Sequence, residues 1–317
     1  MLKKTNSRLI DSLNNYGSKR EPFFFLIDYE LKNFDIIALN NLPKDILYTL
    51  DNKVIKQHNI TIKKFPITFN DYKKSFLKIQ DHIKNGNSYL ANLTFCTKIE
   101  SFYSLKDIYN NANSRFKLYY KDQFVSFSPE QFIEIKDNKI YTYPMKGTIK
   151  VNIPDAKVTL LNDQKEQAEH TMIVDLLRND LSIIAKDVKV ENFRYIDKIK
   201  AGEDELFQTS SKISAKLNNN WQRNLGEILV SLLPAGSITG TPKRKTVEIL
   251  KDIEDYNRGY FTGVFGVFDG TNLNSAVLIR FIEKKDNTFI YKSGGGITSD
   301  SNCLLEYNEM LDKIYIP

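Results

Sequence analysis

The feature that most constrains the fold is a series of short strand-like segments that are joined by tight turns and interrupted by helices. Alternating apolar residues predict strands at residues 88–99, 123–127, 131–135, 139–143, 188–193, 206–217, 260–268, 275–283 and 288–292. Residues 136–139 form a turn of hairpin length between two of them. Strict alternation of strand and helix is absent, so the pattern predicts antiparallel sheets in an α+β fold and disfavours a dinucleotide-binding domain.

Helices are predicted where apolar residues recur at a spacing of three and four, over residues 70–86, 164–180, 222–233 and 301–313. Gly86 is a typical stop signal for the first of these, and Pro234 follows the third. A further helix is expected to begin at Thr241-Pro242, with Thr241 as its N-cap.

The 317 residues contain no linker and no repeat, so residues 1–317 are predicted to form a single domain. The net charge is +6, but lysine alternates with acidic and amide residues, which indicates a solvated surface and not a nucleic-acid-binding stripe. The two cysteines lie far apart, which favours a reduced protein. No segment has the length of a signal peptide's apolar region or a membrane span, so we expect a cytoplasmic protein with no membrane partner.

Two pairs of glutamates are candidates for a metal site. Glu166 and Glu169 lie three residues apart on one predicted helix, and Glu306 and Glu309 do the same on the last helix. This spacing puts each pair on one helix face, which in most proteins is simply solvated. Two facing helices would present four carboxylates, and these are the hard oxygen ligands that Mg²⁺ uses. The sequence therefore predicts a magnesium site between them.

Two other segments could bind an anion. Gly294-Gly295-Gly296 is expected to be a loop with unshielded N–H groups that leads to a helix N-terminus, with a plain turn as the alternative. Residues 233–243 combine small residues with hydroxyls, Thr239 among them, before a helix. A structural loop with a helix cap is the alternative reading of that segment.

Lys146 and Glu130 are the candidate reactive groups. Lys146 follows a strand in a turn that contains Pro144 and Gly147, where most lysines are solvated. A closed pocket could lower the pKa of Lys146 enough to make it a nucleophile. Glu130 also follows a strand, and it could be a general acid if it is partly desolvated or an exposed turn carboxylate if it is not.

Taken in order, these segments resemble the chorismate-utilising enzymes, which include anthranilate, aminodeoxychorismate, isochorismate and salicylate synthases. The similarity spans about residues 86–313 and is carried by residues 88–94, 128–130, 144–148, 168–170, 173–180, 234–240, 278–280, 294–296 and 306–309. The resemblance implies the chorismate-binding fold, in which antiparallel sheets pack together with helices on the outside.

Three positions bear on the product. Lys146 stands where the motif Pro-x-x-Gly-Thr usually has alanine, and a lysine there is a feature of aminodeoxychorismate synthases. Leu90 stands where isochorismate and salicylate synthases place a water-activating lysine. Gln208-Thr209 stands where several relatives have a Gln-His pair, and in anthranilate synthases that histidine is associated with the elimination of pyruvate. The resemblance thus implies an aminodeoxychorismate synthase component I. Anthranilate synthase component I is the alternative, and a non-catalytic chorismate-binding protein is a more distant one.

The resemblance also implies residue roles. Mg²⁺, held by the four glutamates, would bind the ring carboxylate of chorismate. The other substrate contacts would come from Arg280, Gly294, Gly295, Gly296, Lys313, Thr239, Gly147 and Thr148. Lys146 would attack C2 while the C4 hydroxyl leaves with a proton from Glu130, and ammonia would then attack C4 and expel Lys146. The product would be 4-amino-4-deoxychorismate, for 4-aminobenzoate and folate synthesis.

The implied partner is a glutamine amidotransferase subunit on a separate chain, because no such domain is recognisable in this one. The N-terminal region, residues 1–69, is short for the family, and it contains no recognisable tryptophan-inhibition motif. Control by tryptophan is therefore not expected.

Overall fold

The computed structural model describes residues 2–50, 60–201 and 204–317. Its helices are α1 (Leu2–Lys19), α2 (Phe69–Lys84), α3 (Leu105–Asn111), α4 (Ala156–Asn162), α5 (Gln164–Ile184), α6 (Leu225–Leu232), α7 (Lys243–Ile253) and α8 (Cys303–Asp312). Short 3-10 helices span Leu39–Asn41, Trp221–Asn224 and Gly236–Ile238. Part of the predicted N-terminal region, residues 1 and 51–59, lies outside the described residues.

The strands are β1 (Phe23–Ile27), β2 (Phe34–Ala38), β3 (Ile46–Leu50), β4 (Lys63–Phe65), β5 (Leu90–Glu100), β6 (Phe116–Tyr120), β7 (Phe124–Ser128), β8 (Gln131–Lys136), β9 (Lys139–Thr142), β10 (Met145–Lys150), β11 (Lys186–Ala201), β12 (Asp204–Lys216), β13 (Gly240–Thr241), β14 (Val264–Phe268), β15 (Leu273–Val277), β16 (Phe281–Lys285) and β17 (Thr288–Ile297). The predicted hairpin turn joins β8 to β9, and Asp137 and Asn138 have the positive φ angles, 53° and 58°, that such a two-residue turn requires.

These strands form two sheets. In the first, the order is β10-β12-β9-β8-β15-β14-β1-β2, with β11 also paired to β12. In the second, the order is β13-β5-β17-β16-β7-β6-β3, with β4 also paired to β5. All the described strand pairs are antiparallel, which confirms the predicted α+β fold.

The side chains of β1 show how the layers pack. Phe23, Phe25 and Ile27 enter a core shared with α1, α5 and α6, whereas Phe24 and Leu26 enter a core shared with β6 and β16 of the second sheet. All five are fully buried, and each contributes about 1.5–3 kcal/mol of burial free energy. A third core lies between the second sheet and helices α2, α3, α7 and α8. Helices therefore cover the outer faces of two packed sheets.

Helix α2 follows its prediction closely. Its buried face includes Tyr72, Phe76, Ile79 and Ile83, as the spacing predicted, and it ends just before Gly86, whose φ is +71°. The start of α7 differs from its prediction. Thr241 belongs to β13, where it pairs with Leu90, and Pro242 takes the N-cap position. The prediction of Thr241 as a helix cap is wrong because its backbone continues a sheet.

The strand predicted at residues 275–283 is in fact two strands. Strand β15 ends at Val277 in the first sheet, and β16 begins at Phe281 in the second. The chain crosses between the sheets at residues 278–280, where Arg280 has a φ of +50°. Apolar residues continue through the crossing because Leu278 is buried between the two sheets, so alternation alone could not reveal the break.

No helix in the described part of the chain is both long and apolar enough to cross a membrane. Cys96 and Cys303 are free thiols, and both are half-buried.

Candidate functional site

A cavity of about 820 Å³ lies between β10, α5, α8 and the end of β17. It is lined by Lys146, Gly147, Thr148, Ile149, Lys150, Lys165, Glu166, Glu169, Leu206, Arg280, Gly296, Glu306, Glu309, Asp312, Lys313 and Tyr315. Most of the residues that the sequence indicated therefore border one space, although they come from the middle and the C-terminal end of the chain and from both sheets.

Helix caps hold the two glutamate pairs at the cavity. The Asp163 side chain accepts a hydrogen bond from the Glu166 backbone N–H, which fixes the first turn of α5. The Asn302 side chain caps α8 in the same way through the backbone N–H groups of Leu304 and Leu305. Glu169 and Glu306 are buried as a result, with 6% and 4% of their surface exposed.

Lysines compensate the buried carboxylates. Lys146 Nζ lies 2.9 Å from Glu169 Oε2, and Lys313 Nζ lies 2.7 Å from Glu309 Oε1. Lys165 Nζ lies between the two helices, 3.9 Å from Glu169 Oε1 and 3.5 Å from Glu306 Oε1. Glu169 and Glu306 need such partners, because the free energy of an unpaired charge away from water is high, whereas the Glu309 side chain is 56% exposed.

The four carboxylates have the chemistry of a magnesium site. Within the described residues, however, no three acidic, imidazole or thiol groups are gathered closely enough to hold a metal ion. The Lys165 ammonium lies between carboxylates of α5 and α8, where a shared cation would have to sit. The donor type therefore suits Mg²⁺, whereas in this structure Lys165 contacts a carboxylate of each helix.

Lys146 is not in a turn, as the sequence suggested, but within β10. Its backbone pairs with Thr209 of β12, whose hydroxyl donates a hydrogen bond to the Lys146 carbonyl oxygen. The pairing shifts at Gly147, where a φ of +81° would strain a larger residue and an added Cβ would lie 3.1 Å from Glu166 Oε2. This irregularity aims Lys146 into the cavity.

The charge state of Lys146 reflects two opposed effects. Burial lowers the pKa of Lys146, but the carboxylates of Glu169, Glu166 and Glu309 outweigh burial and raise it above its ordinary value. The expectation that a closed pocket lowers this pKa is therefore wrong, because the pocket also contains carboxylates. Burial and the neighbouring Glu169 raise the pKa of Glu166. Burial lowers the pKa of Lys313 despite its contact with Glu309. The site therefore contains ammonium and carboxylate groups in direct contact.

The three glycines form part of β17, and the expectation of a loop leading to a helix is wrong. Each pairs with β5, and α8 begins only at Cys303. A Cβ on Gly295 would lie 3.6 Å from Lys313 Nζ, and one on Gly296 would lie 3.4 Å from Lys146 Nζ and 3.8 Å from Leu90 Cδ1. The missing side chains leave open space beside two lysines. Leu90 borders that space.

Arg280 supplies a further positive charge. It lines this cavity and a neighbouring one of about 710 Å³. Its guanidinium lies 5.1 Å from the centre of the Tyr315 ring, and its Nε is buried with no hydrogen-bond partner among the described residues. Lys313 Nζ is 3.0 Å from the Gly294 carbonyl oxygen, which holds it at the cavity wall. Arg280 and Lys313 therefore border the same cavity as the four glutamates.

Glu130, Thr239, Gly294 and Gly295 are not part of the cavity lining. Glu130 accepts a hydrogen bond from the Ser237 hydroxyl, and burial raises its pKa while Ser237 and the Lys146 ammonium lower it in part. Thr239 is fully buried, and its hydroxyl donates to the carbonyl oxygens of Ala235 and Gly236 within its own turn. That hydroxyl supports the loop and does not reach the cavity.

Sequence reasoning missed three residues that shape the site. Lys165 precedes Glu169 by four residues, and the helical spacing of opposite charges could have revealed it. Ser301 donates to Glu306 Oε1 at 2.8 Å, and its position just before a helix was a signal of capping. Ser237 contacts Glu130 from 107 residues away along the chain, and no local pattern predicts such a contact.

Comparisons with known proteins give the family. A profile of the chorismate binding enzyme family matches residues 40–317. The chain is 48% identical to an uncharacterized PabA-like protein of Haemophilus influenzae over 326 residues, covering 100% of this chain and 98% of that one. It is 28% identical to aminodeoxychorismate synthase component 1 of Escherichia coli, covering 91% of this chain and 66% of that one.

A solved structure agrees in fold. Anthranilate synthase component I from Streptococcus pneumoniae superposes with a TM-score of 0.67 at 24% identity, over 83% of this chain and 60% of that one. At this level of identity, the likeness concerns the fold alone.

Proposed function

The chain belongs to the family of chorismate-binding enzymes, and from that premise we propose that it converts chorismate and ammonia to 4-amino-4-deoxychorismate. This is the reaction of aminodeoxychorismate synthase component I, and its product is the precursor of 4-aminobenzoate in folate synthesis. The observation that carries the proposal is the position of Lys146, whose Nζ lies beside the open space at Gly296 and 2.9 Å from Glu169.

The cavity offers groups for both ends of a dianionic substrate. Mg²⁺, held by Glu166, Glu169, Glu306 and Glu309, would neutralise and orient the ring carboxylate. Arg280, which has no carboxylate partner among the described residues, and Lys313 would receive the second carboxylate. Charge-assisted contacts of this kind position a dianionic substrate more firmly than neutral ones.

Lys146 would act as the covalent nucleophile. Because the neighbouring carboxylates raise the pKa of Lys146, its ammonium must first lose a proton to solvent. The free amine then forms a bond to C2 while the two ring double bonds shift and the C4–oxygen bond breaks. Glu130 donates a proton to the departing oxygen, which leaves as water. Ammonia then forms a bond to C4, the C2–nitrogen bond breaks, and the new ammonium returns a proton to Glu130. The lysine amine is regenerated, and the ring carries an amine where it carried a hydroxyl.

Two positions favour amination as the end of the reaction. Leu90 borders the space beside Lys146, and its apolar side chain cannot activate water. Thr209 lies on β12 with its hydroxyl bonded to the Lys146 carbonyl, where anthranilate synthases are expected to have a histidine. We infer that the enolpyruvyl group stays on the ring and is not eliminated as pyruvate. We also infer that ammonia comes from a separate glutamine amidotransferase subunit.

One assay tests the proposal. The protein is incubated with chorismate, Mg²⁺ and ammonium at high pH, with and without added aminodeoxychorismate lyase, and the products are separated. We expect 4-aminobenzoate only when the lyase is present. Fluorescent anthranilate in the absence of lyase would replace the proposed product with that of anthranilate synthase component I. Chorismate that stays unchanged would support a non-catalytic binding protein.

A further inference from the structure

The loop at residues 233–243 has a hydroxyl that the proposed reaction does not yet use. Ser237 lies in the 3-10 helix Gly236–Ile238, and its Oγ donates a hydrogen bond to Glu130 Oε1. The loop was expected to offer hydroxyls to an anion. Ser237 instead contacts a group of the protein itself, the carboxyl group of Glu130, which is the proposed general acid.

Both partners of this hydrogen bond are held in place. The Thr239 hydroxyl ties the turn to Ala235 at 3.0 Å, and Arg258 Nη1 donates to the Ile238 carbonyl at 2.9 Å. On the other side, the Glu130 backbone N–H donates to Ser128 Oγ at 3.0 Å, and its carbonyl accepts from Val277 at 3.2 Å. Neither side chain has to be ordered when substrate binds.

We propose that Ser237 is a positioning residue, which fixes one oxygen of Glu130 and thereby leaves the other to carry the proton donated to the C4 oxygen. The inference rests on the proposed function. A carboxyl group has two equivalent oxygens, and a donor that occupies one of them selects the rotamer and the reactive oxygen. Such pre-organisation matters most where proton transfer is rate-determining.

Among the described residues, Lys146 on β10 is a cation whose field reaches Glu130. On α5, Asp180 approaches the same turn at Gly236, but it is paired with Lys243 at 2.6 Å. Ser237 favours the ionised form of Glu130, and burial favours the protonated form. Removal of the hydroxyl should therefore raise the pKa of Glu130.

The test compares Ser237→Ala with Ser237→Thr, which keeps a hydroxyl, and with Ser182→Ala, which removes an exposed helix hydroxyl. Chorismate consumption is measured against pH at constant free ammonia.

For Ser237→Ala, we expect kcat to fall by about tenfold to a hundredfold, as for one lost hydrogen bond to a charged group, with little change in KM. The alkaline limb of the kcat profile should move to higher pH, because Glu130 stays protonated longer. Ser237→Thr should recover most of the rate.

A purely structural role would give a different result. Loss of kcat without a shift of the alkaline limb, or with no recovery in Ser237→Thr, would overturn the proposal, as would an unchanged Ser237→Ala enzyme. A direct titration of the Glu130 carboxyl carbon by ¹³C NMR, in wild type and Ser237→Ala, needs no turnover. If the protein consumes no chorismate, the proposed function fails, and an unchanged Glu130 pKa in the variant would then separately reject the role of Ser237.

Discussion

At the scale of single residues, the shape of the site depends on three glycines as much as on the charged side chains around them. Gly294, Gly295 and Gly296 are consecutive in one strand, yet their neighbours differ. A Cβ on Gly294 would lie 2.3 Å from the Leu93 carbonyl oxygen, whereas one on Gly296 would meet the flexible end of Lys146 at 3.4 Å. The first glycine permits two strands to approach each other, and the last leaves room for a ligand.

The two glycines should therefore respond differently to alanine. We expect Gly294→Ala to lower the free energy of unfolding by about 1–3 kcal/mol, because backbone atoms would have to move. Gly296→Ala should leave the unfolding temperature nearly unchanged but raise the KM for chorismate by about tenfold, the equivalent of about 1.4 kcal/mol of binding. Thermal unfolding and steady-state kinetics on both variants measure this contrast. Equal effects on stability would show that Gly296 has no particular role in the cavity.

Lys146 is the second test at this scale. Lys146→Ala should reduce amination of chorismate by on the order of 10³-fold, a loss comparable to that of an essential catalytic group. Lys74→Ala, an exposed lysine on α2 that is salt-bridged to Asp71, is the matched control and should retain full activity. Product formation is followed with the lyase-coupled assay. Retention of amination by Lys146→Ala would remove Lys146 from the mechanism.

Single residues were predictable where chemistry and helical spacing coincide. The glutamate pairs could be assigned to one face because three residues make nearly one helical turn, and they do line the cavity. The sequence indicated Lys146 as a candidate reactive group, but it did not indicate which residues contact Lys146. Its burial and its contact with Glu169 depend on an irregular strand pairing that brings together residues 23 positions apart. No local pattern encodes such a contact.

At the scale of elements, α5 and α8 face each other across the cavity with Lys165 between them. Lys165 is nearly half exposed, with 44% of its side-chain surface accessible, and both of its carboxylate partners are buried. Burial alone would lower the pKa of Lys165, but Glu306 and Glu169 raise it overall. The two helices are thus joined by an ammonium group that can leave towards solvent.

Removal of that ammonium should favour a metal ion. We expect Lys165→Met to bind Mg²⁺ about fivefold more tightly than wild type, because the ion no longer displaces a partner worth about 1 kcal/mol. Isothermal titration calorimetry without substrate measures this affinity, so the result does not depend on turnover. Lys157→Met on the neighbouring α4 is the control. Weaker Mg²⁺ binding by Lys165→Met would mean that Lys165 supports the site and does not compete for it.

Helices and strands were predictable from the sequence where apolar residues recur at a regular spacing. Helix α2 and the β8–β9 hairpin follow from amphipathic spacing and from a two-residue turn. The break between β15 and β16 was not predictable, because Leu278 is buried and Ile279 is partly buried, so the apolar pattern continues past the end of β15. The start of α7 was also missed, since the sheet pairing of Thr241 overrides its capping preference.

At the scale of the whole molecule, a buried ion pair links parts of the structure far apart in sequence. Arg258 is 1% exposed, and it contacts Glu254 at 2.6 Å and the Asn92 carbonyl at 2.6 Å. It also reaches the Ile238 carbonyl, which belongs to the loop that holds Ser237. One guanidinium therefore connects the end of α7, strand β5 and that loop.

Loss of this guanidinium should destabilise the whole chain. Arg258→Met leaves Glu254 buried without its partner, and breaking such a pair from one side typically costs about 3–5 kcal/mol. Chemical denaturation of wild type and variant measures the change. The double variant Arg258→Met/Glu254→Gln is the control and should lose less than the sum of the two single changes, because the uncompensated charge is gone. Additive losses would show that the two side chains act independently.

The crossing of the chain between the two sheets at residues 278–280 bears on how fast the protein is degraded. Arg280 belongs to the joint between the sheets, Lys146 to the first sheet and Gly296 to the second, so a bound chorismate molecule would bridge all three. A ligand that binds only the folded chain stabilises it by about 2.7 kcal/mol at a hundred times its dissociation constant. Limited proteolysis with and without chorismate should show slower cleavage when it is present. We expect the amount of enzyme to follow the supply of its substrate, because the substrate delays degradation.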